Sequence, residues 1–299
     1  MTVLAVAALA VALDRLLPEP ARHPLGAFAR LAAAAERRAN SGPRRRLRGG
    51  MAAAALIAPP ALAAAALASV PGAGLAVSVA TLWLALGGRS LGEHATRVQV
   101  ALDSGNLEAA RTATGCLVSR DTAAMSSEEC AAATVESVLE NGSDAVFAAL
   151  FWFLIAGAGG VVAYRLANTL DALWGYRTPR FEAFGLVAAR LDDALNYIPA
   201  RLTAATYALL GKGRDAWRAW RRDGDRWSSP NAGLVMAAGA GALGLRLGGG
   251  ARYHGEWRHR PALGDGRPTE GTDIARATAL VERGIAVWLT VIAGGYALA

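Results

Sequence analysis

The sequence predicts an all-α, polytopic integral membrane protein whose helical loops lie outside the bilayer. Hydrophobic residues make up 54% of the 299-residue chain and charged residues only 18%, which differs from ordinary soluble composition. No alternating strand pattern of convincing length occurs. Several apolar windows approach the roughly 20 residues that a helix needs to cross a bilayer. These windows are 1–17, 51–70, 72–88, 145–163, 232–248 and 279–299.

The windows differ in the structure that they predict. The second and third are joined by a tight turn, Pro71–Gly74, and are expected to form a transmembrane hairpin. The first contains Asp14 and lacks a basic leader region, so we expect an uncleaved first span or an interfacial helix. The glycine-rich window 232–248 carries Arg246, and we expect it to be buried against protein and not against lipid.

The distribution of arginine predicts the orientation in the membrane. Nine arginines between residues 14 and 50 place that segment in the cytoplasm. The hairpin then returns the loop 89–144 to the same side. If 145–163 crossed the bilayer completely, the basic segment 165–226 would lie outside, against its charge. The run Gly157–Gly160 favours an alternative, a re-entrant or half-buried hairpin that other parts of the protein cover. We therefore predict a multi-pass protein of the cytoplasmic membrane with its site facing the cytoplasm.

Helices are also predicted in the polar loops. The segment Glu128–Leu139 carries helix formers, and Ser126 or Ser127 would cap its first turn. The segment Phe181–Leu195 has apolar residues at helical spacing, and Pro199 is expected to end that helix.

The composition excludes several classes of function. The net charge of +7 depends almost wholly on arginine, because Lys212 is the only lysine. An arginine-rich genome explains such a bias without any function, whereas the functional interpretation is that guanidinium groups bind phosphate or carboxylate. No basic patch interleaved with aromatic residues occurs, so nucleic acid is not an expected partner. The sequence also lacks the motifs of P-loop NTPases, α/β hydrolases and zincins.

Three carboxylates have the spacing of a single helical face. Glu136, Glu140 and Asp144 follow one another at i, i+4 and i+8. Like charges repel at this spacing, so the alternatives are a solvated acidic face and a site for Mg²⁺ or a cationic ligand. The neighbouring apolar window 145–163 favours a site. The candidate Mg²⁺ ligands are Glu140 and Asp144.

The arginines after residue 175 allow two interpretations. Arg190 and Asp193 are one helical turn apart and are compatible with an ordinary salt bridge. Alternatively, Arg177, Arg190 and Arg201 form a phosphate clamp. Pro199 restricts the backbone before it and would help to fix the direction of Arg201.

Two loops have the composition of binding loops. The segment Ser228–Gly233 is suited to open a helix and to present backbone N–H groups to an anion. The glycine loop 247–255 adjoins Arg252, Tyr253 and His254, and it is equally compatible with a simple turn between helices.

Taken together, these motifs resemble the adenosylcobinamide-phosphate synthase family of cobalamin biosynthesis over nearly the whole chain. The chain departs from that family at Pro18–Pro20, where Gly-Asp-Pro is usual, and at Ala148–Leu150, where a proline is usual. The matching motifs are Asp14 with His23-Pro24 and Glu36-Arg37, Ser119–Thr122, Glu136–Asp144, Asn168–Asp171, Gly175–Arg177, Ala189–Asp193, Asn196–Arg201, Ser229–Gly233, and Leu247–Gly249 with Tyr253 and Gly255.

The resemblance implies an enzyme that joins an amino-alcohol phosphate to adenosylcobyric acid. The amine is (R)-1-amino-2-propanol phosphate or ethanolamine phosphate, the product is adenosylcobinamide phosphate, and ATP and Mg²⁺ are required. On this reading the candidate catalytic residues are Asp121, Glu136, Glu140, Asp144, Asp171, Asp192 and Asp193. The candidate substrate- and phosphate-binding residues are Arg120, Asn141, Asn168, Arg177, Arg190, Asn196, Tyr197, Arg201, Ser229 and Asn231.

Other functions are compatible with the same scaffold. A membrane transporter or sensor would line a path across the bilayer with polar residues, whereas an enzyme would gather them on one side. A non-catalytic homologue is a further alternative. We treat residues 1–299 as one membrane-embedded catalytic domain, in contact with the lipid bilayer. A homo-oligomer and an association with other enzymes of the pathway are both left open.

Overall fold

The computed structural model describes residues 3–253 and 255–298, with side chains described up to residue 295. The described chain is mostly helical, with a π-helical turn at Ser143–Phe147 and a 3₁₀ turn at Gly224–Arg226. The helices are α1 Val3–Leu16, α2 Pro24–Ala39, α3 Arg45–Ala68, α4 Gly74–Ala85, α5 Gly88–Asp103, α6 Leu107–Gly115, α7 Ser127–Gly142, α8 Ala148–Trp174, α9 Leu186–Leu210, α10 Gly213–Asp223, α11 Ala232–Leu243 and α12 Thr272–Leu298. The strands are β1 Leu247–Gly248, β2 Ala251–Tyr253, β3 Glu256–Arg258 and β4 Ala262–Leu263.

Within the described residues, four helical runs are long and apolar enough to cross a membrane. Several large apolar side chains on these runs, among them Leu62, Leu67 and Val291, are exposed, as expected of surfaces that meet lipid. The predicted class, an all-α polytopic membrane protein, is confirmed. The four runs are Arg45–Ala68, Gly74–Asp103, Ser127–Trp174 and Thr272–Gly295.

The chain divides into two compact units. Unit 1 contains Met1–Gly87 and Ala148–Asn196, and unit 2 contains Gly88–Phe147 and Tyr197–Ala299. The predicted organisation as one catalytic domain over 1–299 stays a prediction.

In unit 1, the predicted hairpin of two apolar helices is present. Helices α3 and α4 pack together, and Gly72 in the turn between them has a φ of 82°, which glycine adopts without steric cost. Helix α8 packs against both. The core beneath them contains the buried side chains of Phe28, Leu170, Trp174 and Phe184.

The apolar segment 145–163 is interrupted near its predicted glycine run. The backbone leaves helical geometry at Ala156 and at Gly157, where φ is 59° and ψ is −150°. Two residues later, Gly159 lies against α3 so closely that an added Cβ would be 2.9 Å from the Cβ of Ala65. Helix α8 therefore consists of two pieces. Whether the segment crosses the bilayer or re-enters it stays a prediction.

The predicted end of a helix at Pro199 is wrong, because α9 continues through this residue. A proline inside a helix has no N–H to donate to the carbonyl four residues earlier, which here belongs to Leu195. The indole Nε1 of Trp152 donates to that carbonyl instead, at 3.0 Å. This bond satisfies the acceptor that the proline leaves without its helical partner.

The connection between α8 and α9 is tied to α2. Arg180 donates to both carboxylate oxygens of Glu36, with distances of 3.0 Å from Nε and 2.6 Å from Nη2. The hydrogen bond from Arg180 lowers the pKa of Glu36 below its usual value. Glu36 and Arg180 thus fix the segment that follows the Gly175–Arg177 motif.

In unit 2, two predictions about helices are confirmed. Ser126 caps α7, and its hydroxyl accepts from the amide of Glu129 while the Glu129 carboxylate accepts from the amide of Ser126. Helix α11 has every side chain from Gly233 to Leu243 buried, as expected for an apolar window packed against protein.

The four strands were not predicted. They form two antiparallel pairs, β1 with β4 and β2 with β3, and both pairs belong to the segment around the glycine loop. Strands of two or three residues are too short to produce a recognisable alternation. His254, a residue of the predicted glycine loop, lies outside the described residues.

Candidate functional site

The polar site of unit 2 is centred on the carboxylate of Glu136 in α7, which is 2% exposed. Its Oε2 accepts hydrogen bonds from Arg120 at 2.6 Å and from Arg260 at 2.8 Å. Its Oε1 accepts from the backbone amide of Gly248 at 2.8 Å. Because both oxygens have protein partners, Glu136 holds Arg120, Arg260 and the Gly248 amide in place, and its predicted catalytic role stays a prediction.

Arg260 is the main residue of this site that the sequence analysis missed. Its Nε donates to the Gly249 carbonyl at 3.1 Å and its Nη1 to the Tyr253 hydroxyl at 3.0 Å, while the guanidinium lies 4.5 Å from the ring of Trp227. Burial alone would lower the pKa of Arg260, but the Glu136 carboxylate outweighs it and raises that pKa. The one sequence feature that indicated a site near Arg260 was the glycine loop 247–255, which precedes it in the chain.

Asp121 attaches the β2–β3 pair to the segment before α7. Its backbone amide donates to the Arg252 carbonyl at 2.9 Å. Its Oδ2 accepts from the amide of Gly255 at 2.7 Å. The predicted catalytic residue Asp121 therefore contacts the glycine loop and orients it beside Arg120.

Two cavities adjoin the Arg120–Glu136 pair. The larger has a volume of about 230 Å³ and the smaller of about 100 Å³. Both are lined by Arg120 and Glu136, so the pair lies between them. Among the other residues lining the larger cavity are Glu140, Asn141, Ser119, Tyr253 and Arg260. The smaller is lined by Asp121, Arg252 and Trp257, among others.

The predicted face of three carboxylates is only partly correct. Glu136 and Glu140 line the same cavity, but Asp144 is not among the described residues that line it. Asp144 lies in the π-helical turn that follows α7, where α-helical spacing no longer applies. Burial, together with the nearby Asp144 carboxylate, raises the pKa of Tyr207.

Unit 1 contains a second polar site, centred on Asp192 in α9. Its Oδ1 accepts from the side-chain amides of Asn168 at 3.2 Å and Asn196 at 3.1 Å. The Oδ1 of Asn196 accepts in turn from the Tyr164 hydroxyl at 2.9 Å. Burial raises the pKa of Asp192 to about 6, against the opposing effect of the two amides. Three predicted site residues thus meet, with Tyr164 as a fourth that the sequence did not indicate.

Arg165 also belongs to this second site and was also missed. Its Nη1 lies 3.4 Å from Oδ1 of Asn168. Its Nε is buried and has no hydrogen-bond partner within the described part of the chain. Asp171, one turn after Asn168, fills the space beside Gly175, since an added Cβ there would lie 2.0 Å from its Oδ1. Asp171 therefore requires glycine at position 175.

The geometry of Arg190 favours the salt-bridge interpretation. Its Nη1 lies 3.8 Å from Oδ2 of Asp193, and its side chain is 74% exposed. Burial raises the pKa of Asp193, while Arg190 and Arg177 oppose this effect. Both arginines thus act electrostatically on the Asp193 carboxylate, and Arg190 is the one paired with it.

Arg201 of unit 2 has other partners. Its guanidinium lies 3.4 Å from the ring centre of Tyr197, and its Nη1 donates to the Tyr197 carbonyl at 2.7 Å and to Oδ1 of Asn231 at 3.4 Å. Ser229 does precede a helix, as predicted. However, its Oγ already accepts from the amides of Asn231 and Ala232, so these two N–H groups do not support the predicted anion site.

These features define a polytopic helical membrane protein with buried polar sites built from arginine, carboxylate and amide groups. The family described as CobD/Cbib protein matches residues 7–281 of the chain. The chain therefore belongs to the CobD/CbiB family, whose role is in cobalamin biosynthesis.

Similar proteins occur in several bacteria under the name cobalamin biosynthesis protein CobD. The protein of Chromobacterium violaceum is 57% identical over 94% of this chain and 92% of its own length. That of Stutzerimonas stutzeri is 54% identical over 96% and 95%, respectively. That of Mycobacterium tuberculosis is 44% identical over 74% of each. No solved structure matches the chain.

Proposed function

We propose that this protein forms an amide bond, with consumption of ATP, between adenosylcobyric acid and an amino-alcohol phosphate. The amine is (R)-1-amino-2-propanol phosphate or ethanolamine phosphate, and the product is adenosylcobinamide phosphate. Family membership and the names of the relatives support a role in cobalamin biosynthesis. The resemblance in sequence motifs supports the particular reaction.

The main structural support for the proposal is that two guanidinium groups line a polar cavity in unit 2. Arg120 and Arg260 are held in place by a shared carboxylate, Glu136. Guanidinium groups bind phosphate through short, charge-assisted hydrogen bonds. Since the proposed reaction uses a phosphorylated amine and a nucleotide, a cavity lined by guanidinium groups is suited to it.

The reaction needs an activated carboxylate, because a free carboxylate is a poor acceptor for an amine. In our proposal a propionate oxygen attacks the terminal phosphorus of ATP and releases ADP. The amine nitrogen then attacks the carbon of the acyl phosphate, loses a proton and releases inorganic phosphate. Rapid-quench trapping with ATP but without the amine is expected to find the acyl phosphate of adenosylcobyric acid, and a complete time course without it would contradict the acyl-phosphate step.

Mg²⁺ remains part of the proposed reaction, but its predicted site is only weakly supported. Glu140 lines the larger cavity, whereas Asp144 is not among the described residues around it. No group of three or more His, Cys, Asp or Glu side chains converges within the described residues. We therefore derive no step from a metal held by Glu140 and Asp144. Removing Mg²⁺ with a chelator is expected to abolish product formation.

The direct test of the proposed function is product analysis by mass spectrometry. The purified protein is incubated with adenosylcobyric acid, ATP, Mg²⁺ and each amino-alcohol phosphate in turn. We expect adenosylcobinamide phosphate with at least one amine, and none when ATP is omitted. Absence of product with every amine would overturn the proposal. Accumulation of unmodified corrinoid inside proteoliposomes would indicate a transporter instead.

We further propose that the site residues face the cytoplasm, where the nucleotide is. In a variant with Cys116 and Cys130 replaced by serine, single cysteines placed beside Asp121 and beside Asp193 are expected to react from the cytoplasmic side. Labelling of either position only from the opposite side would contradict this orientation. The oligomeric state and any association with other enzymes of the pathway stay predictions.

A further inference from the structure

We infer that the larger cavity of unit 2 is the binding site of the phosphorylated amine. The phosphate would lie on Arg120 and Arg260, and the ammonium group would point toward Glu140. This assignment rests on the proposed function, because it names which of the proposed substrates occupies the cavity.

The first argument is the balance of charge around Glu136. Two arginines share this one carboxylate, and their side chains are only 11% and 13% exposed. The cluster therefore carries an excess positive charge in a place where water compensates it poorly. A phosphate monoester, with roughly −1.5 to −2 charges at neutral pH, would more than offset this single excess charge, and an ammonium group on the same ligand would pair with the Glu140 carboxylate in the same cavity.

The second argument is the different use of the two guanidinium groups. Arg260 donates from all three of its nitrogens, to Gly249, Tyr253 and Glu136. In contrast, the hydrogen bond that Arg120 makes within the described chain is the one to Glu136. A guanidinium carries several N–H donors, so Arg120 has others for a ligand in the cavity that it lines. Arg120 would bind the phosphate, and Arg260 would supply fixed positive charge.

The third argument is size. The cavity volume of about 230 Å³ is below the roughly 300–1,000 Å³ that is usual for ligands of drug size. An amino-alcohol phosphate is small enough to lie wholly within this space, whereas a corrinoid ring is far larger. Among the proposed substrates, the phosphorylated amine is therefore the one that matches the cavity.

The fourth argument is the chemistry at the other end of the cavity. Glu140 lies one helical turn after Glu136 and lines the same space. The neighbouring Asn141 donates from Nδ2 to the carbonyl and the hydroxyl of Ser137, both at 3.0 Å, which orients its amide. The Glu140 carboxylate and the Asn141 carbonyl oxygen are suitable acceptors for an ammonium group. The cavity thus pairs a phosphate-binding end with an ammonium-binding end.

The test compares two ligands that differ only in the amino group. Binding of ethanolamine phosphate and of ethyl phosphate to the purified protein is measured by isothermal titration calorimetry, without ATP, Mg²⁺ or corrinoid. The wild-type protein is expected to bind ethanolamine phosphate more tightly. Arg120→Gln should weaken both ligands by about tenfold or more, because a charge-assisted hydrogen bond is lost. Glu140→Gln should weaken only ethanolamine phosphate, to the level of ethyl phosphate.

Two further variants make the comparison specific. Arg218→Gln removes an exposed arginine of the same unit and should leave both affinities unchanged. Arg120→Lys keeps the charge next to Glu136 and should preserve the fold, yet it should still weaken phosphate binding because it lacks the fork geometry. Thermal unfolding and size-exclusion profiles show which variants are folded.

The outcomes separate this inference from the proposed function. Wild-type affinities in folded Arg120→Lys protein, or no binding of either ligand to the wild type, would overturn the assignment of the cavity even if amide product is formed. Conversely, binding that follows the expected pattern in a protein that forms no amide would support the assignment and overturn the proposed reaction.

Discussion

In unit 2 the buried carboxylate of Glu136 meets two guanidinium groups, whereas in unit 1 the buried carboxylate of Asp192 meets two neutral side-chain amides. An opposite charge stabilises the ionised carboxylate and fixes the arginines around it. Amide donors offset the cost of burying an ionised carboxylate less completely. The pKa of Asp192 is therefore raised to about 6. The first arrangement is suited to hold an anion, and the second to exchange a proton near neutral pH.

The largest effect is expected from Glu136→Gln, which removes the shared carboxylate of the two arginines in unit 2. The change leaves two buried guanidinium groups without their counter-charge, and breaking a buried ion pair from one side costs roughly 3–5 kcal/mol. We expect a large fall in the free energy of unfolding, measured by denaturation in detergent, and loss of product formation. Glu93→Gln, in an exposed pair with Arg89, is the matched control and should change little. Wild-type stability of Glu136→Gln would show that the cluster does not depend on its carboxylate.

The arrangement around Asp192 can be tested through the pH dependence of its contribution to stability. Because the folded-state pKa of Asp192 lies above its usual value of 3.8, its contribution to stability is complete below about pH 4 and is lost as the pH rises through about 6. A shift of this size corresponds to about 3 kcal/mol. Asp192→Asn keeps an acceptor for Asn168 and Asn196 but cannot ionise.

We therefore expect the unfolding temperature of Asp192→Asn, relative to the wild type, to rise between pH 4 and pH 8. Asp215→Asn changes a carboxylate on the exposed surface and serves as the control. A difference between Asp192→Asn and the wild type that stays constant with pH would contradict a raised pKa at this position.

A smaller effect is expected from the bond that allows α9 to continue through Pro199. Trp152→Phe removes the donor to the partly buried Leu195 carbonyl, and the cost should lie at or below the roughly 1–3 kcal/mol of a fully buried unsatisfied acceptor. Pro199→Ala restores a backbone N–H at the position that normally bonds to this carbonyl. The loss from Trp152→Phe should therefore be smaller in the Pro199→Ala background.

A double-mutant cycle measures this coupling as a difference in free energies of unfolding. Trp217→Phe, at an exposed tryptophan, provides the control for loss of an indole ring. Strictly additive effects of Trp152→Phe and Pro199→Ala would show that the indole does not replace the missing bond.

The features that the sequence predicted correctly depend on neighbours in the chain. The cap at Ser126 and the turn at Pro71–Gly74 are set by a few consecutive residues. The burial of α11 follows from its small, apolar composition. Asn168, Asp192 and Asn196 were identified because each belongs to a recognisable motif.

The features that were missed depend on contacts between distant parts of the chain. Arg260 bonds to Glu136 across 124 residues, and Trp152 bonds to Leu195 across 43. No local sequence pattern predicts either of these two contacts. Among the residues that the structure describes, Asp144 does not line the larger cavity with Glu136 and Glu140, and the π-helical turn that contains it departs from the helical spacing that the prediction assumed.

The smallest effect is expected at Arg190, and it tests whether phosphate binding belongs to the arginines of unit 1 as well. Arg190 is mostly exposed and lies 3.8 Å from Asp193, so the pair should contribute only a few tenths of a kcal/mol. Lysine preserves the charge, and the stability of Arg190→Lys should equal that of the wild type.

The kinetics of Arg190→Lys distinguish a salt bridge from a bidentate phosphate contact. A salt bridge tolerates lysine, whereas a bidentate contact does not, because an ammonium group cannot reproduce the fork of the guanidinium. We expect KM for the phosphorylated amine and for ATP to remain at the wild-type level in Arg190→Lys. The same substitution at Arg120 should raise KM for the amine by about tenfold or more. If Arg190→Lys instead shows the larger increase in KM, a phosphate contact must lie beside Asp193. The contrast between an anion-binding site in unit 2 and a proton-exchanging site in unit 1 would then no longer hold.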